Sequence, residues 1–291
     1  MKQLQKILTQ QNMSVLAGKT VAMTGCTGGI GTALCRYFAA LGIHLIMLDR
    51  NPQKSAALRA ELQQTYPQIQ CESLIVDLED MESVKAAAAV LLKKPPHFFI
   101  HNAGAYSIPR HRCSTGFNNV FQINFVSPYY LIRTLTAHNP DIKVIAMGSI
   151  AHNYAKADFD DVDFSTRKPS NLVYGNAKRY LMFSLYEAFD GKDNLAVVHP
   201  GITFTNITNH YPKWLFCLIK HPMKTIFPPP HIAALCVIKG LIASTPHSVW
   251  IGPWILDIWG LPHTRRLHTC TKKEAAGIGQ VAQEIYQKML M

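Results

Sequence analysis

The sequence predicts an α/β domain of the doubly wound type, a central parallel sheet with helices on both faces. Short runs of β-branched and apolar residues alternate along the chain with longer helical patterns. Those runs are apolar on both faces, as strands covered from either side must be. The chain has 291 residues, 48% hydrophobic and 16% charged, enough to bury one large core without disulfides or metals, and too apolar for a disordered segment.

In order, strands are expected at 20–23, 45–48, 74–76, 98–100, 144–147 and 196–198, with a last short strand near 248–251. Right-handed crossovers between them leave helices on alternate faces and point the strand ends toward a ligand. Residues 1–18 read as an N-terminal extension and 19–253 as the domain. A stretch rich in Pro, His and aromatics at 209–230 interrupts the pattern as an insertion. A polar helix over 272–288 closes a C-terminal extension, 254–291. No internal repeat is visible.

Lys and Arg number 29 against 18 Asp and Glu, a net charge of +11, which suits an anionic partner: nucleic acid, a membrane surface or a phosphate-bearing cofactor. Residues 201–291 hold nine of the cations against three acids, so peripheral contact with an anionic membrane is the partner this excess suggests. Nucleic acid is not expected, because there is no arginine-rich block or binding motif. Seven widely spaced cysteines without a C-x-x-C pair argue against a disulfide framework and a zinc site, and fit a reducing cytoplasm. The 13 histidines form no H-E-x-x-H, so no metal is assigned. The first 14 residues lack a signal-peptide core, and the strongly apolar run 214–219 is far below the roughly 20 residues of a membrane span.

The first expected strand runs into Thr24-Gly25-Cys26-Thr27-Gly28-Gly29-Ile30-Gly31, followed by a helical pattern at 32–41. Glycine at 25 permits a tight turn, at 29 a close backbone approach to a pyrophosphate, and at 31 helix packing on the sheet. The helix N-terminus adds partial positive charge. The second strand ends on Asp49, a carboxylate suited to ribose hydroxyls and hostile to a 2′-phosphate, which favours NAD over NADP. Arg50 beside it either pairs with a 2′-phosphate, covers an adenine face or points into solvent.

With Asp77 and Leu78 after the third strand, His101-Asn102-Ala103-Gly104 after the fourth, Asn124, Ser149 and Tyr174-x-x-x-Lys178, the chain resembles the short-chain dehydrogenase/reductase family over 20–205. Ser149-Ile150-Ala151-His152, the 25-residue spacing from Ser149 to Tyr174, and 198–205 resemble its retinol-dehydrogenase-like branch. The sequence departs at His101, where the family has Asn, and at Asp49, where the branch often has a neutral residue. It also lacks the His that often follows the position of Asn124.

The resemblance implies a single Rossmann domain and an NAD(P)-dependent oxidoreductase interconverting an alcohol and a ketone or aldehyde. Asn124, Ser149, Tyr174 and Lys178 would be catalytic. The cofactor would be held by Gly25, Thr27, Gly29, Ile30, Gly31, Asp49, Arg50, Asp77, Leu78, Asn102, Ala103, Gly104, Tyr174, Lys178, Pro200, Gly201, Ile202 and Thr205. In that mechanism Lys178, one helical turn beyond Tyr174, favours its phenolate; Ser149 holds the substrate oxygen; Asn124 anchors a water. Taken singly, Ser149 could merely cap the following turn, and Asp77 could contact adenine or cap the helix near residue 80. A substrate cover is implied over 203–230, where Tyr211, Trp214, Leu215, Phe216, Ile219 and Phe227 suit a lipophilic alcohol or carbonyl substrate. The helices at 116–135 and 171–189 would offer a homodimer surface. The competing function is a nicotinamide-binding regulatory protein of weak catalytic power.

Overall fold

A computed structural model describes residues 2–202 and 227–291. Thr205 and most of the expected cover, with Tyr211, Trp214, Leu215, Phe216 and Ile219, lie outside the described residues. Eight strands form one sheet: β1 (Thr20–Thr24), β2 (His44–Asp49), β3 (Cys71–Ile75), β4 (Phe98–His101), β5 (Lys143–Met147), β6 (Leu195–Val198), β7 (Val249–Ile255) and β8 (Trp259–Arg266). Their order is β3-β2-β1-β4-β5-β6-β7-β8, parallel except for β8. The strand order reverses between β1 and β4, and at that switch point the carboxyl ends open a crevice.

The helices are α1 (Lys2–Gln5), α2 (Gln10–Leu16), α3 (Gly29–Ala40), α4 (Pro52–Thr65), α5 (Met81–Lys93), α6 (Asn119–Phe121), α7 (Ser127–His138), α8 (Ser170–Ala188), α9 (Pro230–Ile242) and α10 (Lys272–Leu290). Residues from α1 to α4 and α9 bury one sheet face, around Leu34, Phe38, Leu58 and Leu235. Residues from α5, α7, α8 and α10 bury the other, around Leu91, Phe125, Phe183 and Ile278. Capping places the starts: Asn51 accepts from Lys54 N before Pro52 opens α4, and Asp80 accepts from Glu82 N at α5. No helix among the described residues is long and apolar enough to cross a membrane.

Two boundaries move. The N-terminal segment expected as an extension over 1–18 is docked over its described residues 2–18, since Leu4, Leu8 and Leu16 are buried in the core. The boundary expected after 253 falls inside β7; the sheet continues through β8, and α10 buries Ala275, Ile278, Ala282 and Ile285 against the core. The closing helix is therefore amphipathic, with a polar outer face only. It lies on α7 and α8, where Tyr286 meets Tyr129 and Tyr130 and Gln283 accepts from Arg133. Part of the surface expected for a homodimer is thus taken by the chain's own helix.

Buried histidines join the end of the sheet to α8. His199 stacks on Trp250 at 4.8 Å between ring centroids, and His152 meets the same indole edge-on at 5.5 Å. Burial pushes His152 down to about 4 and His199 to about 3, and holds His101 well below its ordinary value. Each is neutral when folded and takes up a proton near pH 6.5 when unfolded, so stability falls as pH drops below 6.5. Three such groups give a slope of about 4 kcal/mol per pH unit near pH 5, at about 1.4 kcal/mol per proton. Urea unfolding at pH 5.0 and 6.5 should read this slope, with the His152→Gln variant losing about one proton's share; a wild-type slope below one proton, or an unaltered slope in the variant, contradicts it.

Candidate active site

A cavity of about 470 Å³ opens at the switch point, lined by the glycine loop, the ends of β2, β4 and β5, Tyr174 and Lys178 of α8, and Pro200 after β6. The loop is built for close approach. Gly25 sits at φ +72°, and a Cβ there would stand 2.9 Å from Ala103 Cα. A Cβ on Gly31 would stand 2.1 Å from the Gly25 carbonyl, so α3 starts against the loop only because residue 31 is glycine. The amino end of α3, from Gly29, faces the cavity with Gly28 and Ile30.

Thr24, which the sequence reading passed over, organises the floor. Its hydroxyl accepts from Asn102 N and Ala103 N at 3.1 Å each and lies 3.1 Å from His101 Nδ1. Asn102 returns its amide to the Thr24 and Gly25 carbonyls at 3.1 and 2.9 Å. His101 therefore supports the same loop through a ring nitrogen, while its Nε2 is buried without a partner among the described residues.

Asp49 is 2% exposed and braces the loop from below: Oδ1 accepts from Thr27 N and Thr27 Oγ1 at 3.0 Å, and Oδ2 from Ser55 Oγ at 3.1 Å. Arg50 faces Glu79, with Nη1 3.5 Å from Oε1. Lys54, unmarked in the sequence reading, also lines this end, with Asp77 and Leu78. Asp77 does not cap α5, which Asp80 does; its carboxylate instead accepts from Glu79 N at 3.0 Å. His111 Nε2 lies 3.0 Å from Glu79 Oε2, and Cys113 stands beside them with its thiol pushed up to about 11, chiefly by burial.

At the other end, Ser149 leaves β5 in extended conformation. Its Oγ accepts from Ala151 N at 3.2 Å and so caps the turn, and the same hydroxyl lies close enough to the Tyr174 phenol to pull its pKa down. Tyr174 and Lys178 share a face of α8, with Lys178 Nζ 5.8 Å from the Tyr174 ring centroid. The expected lowering of the phenol is absent. Burial pushes Tyr174 up to about 12 against the pull of Ser149, with Tyr106 and Tyr154 adding to the rise. Burial likewise pushes Lys178 down to about 7, and its Nζ donates to the Met147 carbonyl at 2.9 Å. Desolvation outweighs the one-turn spacing for both groups.

Asn124 sits in a π-helical step, Gln122–Val126, between α6 and α7. Its amide donates to the Ala105 and Val120 carbonyls at 2.8 Å each, and its Oδ1 is fully buried without a partner among the described residues. A Cβ built on Gly104 would meet that Oδ1 at 3.0 Å and Lys178 Nζ at 3.8 Å, so the two groups converge over Gly104. Tyr106 was not foreseen; it lines the cavity and meets the Tyr174 ring edge-on at 5.3 Å. Gly201 and Ile202 follow Pro200 without lining the cavity.

A glycine loop at a helix start, at the switch point of a doubly wound sheet, defines a dinucleotide-binding domain of the Rossmann type. The short chain dehydrogenase profile matches residues 19–159, and the chain belongs to that family. It is 30% identical over 214 residues to retinol dehydrogenase 12 of Mus musculus, covering 70% of this chain and 67% of that one. It is 26% identical to polyprenol dehydrogenase of Homo sapiens over 66% of this chain and 63% of the relative. The alignments thus span only about two thirds of these relatives' lengths. A solved structure of an uncharacterized protein from Mycobacterium paratuberculosis shares the fold at TM-score 0.69 and 22% identity, with 94% of each chain covered.

Proposed function

We propose that this chain is a nicotinamide-dinucleotide-dependent oxidoreductase that interconverts a lipophilic alcohol and its carbonyl. The observation that carries the reading is the convergence of Tyr174 and Lys178 at the cavity entered by the glycine loop, with the Ser149 hydroxyl acting on the phenol from beside it. The cavity fits such a group: Gly25 and Gly31 leave no room for side chains where the loop meets Ala103 and the start of α3, and the Asn124 side-chain carbonyl has no partner among the described residues. When bound, the dinucleotide supplies a ring that gives or takes hydride.

The rest is this chain's own chemistry. Ser149 and Tyr174 hold the substrate oxygen between two hydroxyls. With its pKa held up to about 12, Tyr174 carries its proton at neutral pH and is set to donate it to a carbonyl oxygen. In the oxidative direction it must first lose that proton. Lys178 would meet the ribose hydroxyls, and the buried Asn124 oxygen suits a water through which the proton is replaced. Tyr106, Ile108, Ile123 and Met147 line the same cavity, and with the names of the relatives they support a lipophilic substrate. The purely regulatory alternative needs no such proton-transfer group and is not favoured. Loss of NADH or NADPH absorbance at 340 nm with long-chain and isoprenoid aldehydes and ketones tests the reading; nucleotide binding with no turnover of any of them would reject it.

NAD is the proposed preference, because Asp49 occupies the end of β2 and Glu79 neutralises the nearby Arg50. Asp49→Ser keeps a hydroxyl acceptor for Thr27 and removes the charge. The kcat/KM ratio of NAD to NADP should fall on the order of tenfold, about 1.4 kcal/mol, with Arg50 and Lys54 left to meet a 2′-phosphate. An unchanged ratio would show that the carboxylate is not the selector.

A further inference from the structure

Of the thirteen large apolar side chains exposed among the described residues, five sit together on the β7–β8 hairpin. Trp254, Ile255 and Leu256 are 71%, 51% and 82% exposed, and Trp259 and Leu261 are 37% and 44% exposed. The turn closes with Ile258 N donating to the Ile255 carbonyl at 2.9 Å, and both central residues, Leu256 and Asp257, have φ near +55°. Such turns ordinarily use Asn-Gly. A leucine in that conformation, 82% exposed at the tip, meets two unfavourable conditions at once.

The flanks are basic. Trp259, Leu261, His263 and Arg265 alternate onto one face of β8, and the exposed Arg266 follows. Arg265 pairs with Asp257, while Arg266 has no acidic partner among the described residues. Residues 201–291 carry nine Lys and Arg against three acids. The hairpin is seated on the rim of the cavity. Gly201, at φ +82°, leaves room for it: a Cβ there would stand 2.8 Å from the Ile258 carbonyl and 3.0 Å from Pro253 Cγ. His199 Nε2 lies 3.1 Å from the Asp257 carbonyl, and the intervening Pro200 lines the cavity.

From these features we infer that the β7–β8 hairpin docks on an anionic phospholipid bilayer, with Trp254, Leu256 and Trp259 entering the boundary between headgroups and acyl chains and Arg265 and Arg266 meeting the lipid phosphates. Tryptophan is at home in that layer, and cations beside an apolar tip add attraction to anionic lipid. A second copy of the chain is the poorer occupant. The free edge of β8 contains Pro262, which has no N–H to pair, and it would bring Arg265 and Arg266 of two copies together. Docking puts the rim of the cavity at the bilayer, where a lipophilic substrate is stored; that consequence rests on the proposed substrate class, whereas the docking does not.

Flotation of the full chain with phosphatidylcholine vesicles, with and without about a third phosphatidylserine, tests the docking. The wild-type chain should float with the anionic vesicles, and high salt should release it. Trp254→Ser with Leu256→Ser should lower the bound fraction on the order of tenfold, and Arg266→Glu should weaken it on anionic vesicles only. NADH binding, which does not use the tip, should be retained by all three chains and shows that they are folded. Absent wild-type flotation at low salt, or equal flotation of the double variant, overturns the proposal. A lipid-free dimer that the double variant abolishes also overturns it and assigns the patch to a second copy. Flotation reads docking whether or not any carbonyl is reduced, so failure of the substrate reading stays distinguishable.

Discussion

The Tyr174→Phe variant should lose carbonyl reduction by about a thousandfold in kcat, within the range that removal of a positioned general acid costs, while its affinity for NADH stays within about twofold of wild type. The ring is kept, so its edge-on contact with Tyr106 survives and only the hydroxyl facing Ser149 is lost. The pH dependence is the sharper readout. Burial holds the Tyr174 phenol up to about 12, so in wild type the proton donor is present across the neutral range and reduction should be nearly flat in pH there. Alcohol oxidation needs the phenolate, whose population in this site grows tenfold per pH unit below that value, so the oxidative rate should climb from pH 7 to 10. A Phe variant with residual activity should lack this climb. Stopped-flow hydride transfer in both directions separates the chemical step from product release. A kcat within tenfold of wild type, or an oxidative pH profile unchanged by the substitution, would remove Tyr174 from the proton-transfer role.

The cavity was legible because its parts announce themselves locally. Gly31 is needed by backbone contacts only a few residues away, Gly25 takes a positive φ in the turn itself although its close neighbour, Ala103, is distant in sequence, and the pattern of strand, loop and helix around them is short-range. Tyr174 and Lys178 are one helical turn apart, so a helix alone puts them on one face. What the spacing could not give is the balance of charge and burial. Lys178 turns to the Met147 carbonyl, and desolvation dominates both groups, because α8 is packed under the sheet end rather than exposed along its length. Thr24 and Tyr106 were missed for a related reason: their roles come from partners 78 and 68 residues away, across strands or onto another helix.

The second half of the sheet was harder to read. Strand β8 contains Gly260 and Pro262, residues that signal loops, and is tolerated as a strand only because it lies at the edge. Its turn uses Leu and Asp where a hairpin signal would be Asn-Gly, so nothing local marks it. Edge strand β3 was misplaced by a few residues because the polar Glu72 and Ser73 interrupt its apolar run. The helix α10 looked polar because its buried positions are mostly small or widely spaced, and the amphipathic stripe shows only against α8.

Arg179→Ala should destabilise the protein by about 3–5 kcal/mol, the cost of leaving a buried charge without its partner. The Arg179 side chain is 1% exposed and that of Glu274 only 12%. Arg179 donates Nε and Nη2 to the two Glu274 oxygens at 2.7 Å each, and Nη1 and Nη2 to the carbonyls of His152 and Thr269 at 2.9 and 2.6 Å. Glu274 also accepts from Ala157 N at 2.8 Å. Burial works to raise the Glu274 carboxyl, but Arg179 and the Ala157 N–H together hold it below its ordinary value. One guanidinium thus fixes α10, the turn after Ser149 and the approach to α10 to helix α8, one residue beyond Lys178. At roughly 2–4 °C per kcal/mol for a domain of this size, the melting temperature of Arg179→Ala should drop on the order of 10 °C. Replacing both partners, Arg179→Met with Glu274→Leu, removes the charges together and should recover most of that loss, because an apolar pair in the same space carries no desolvation cost. If the double variant were as unstable as Arg179→Ala, the damage would lie in the two orphaned carbonyls rather than in the unpaired carboxylate. If Arg179→Ala cost less than about 1 kcal/mol, as an exposed pair would, α10 would be held by its apolar stripe alone.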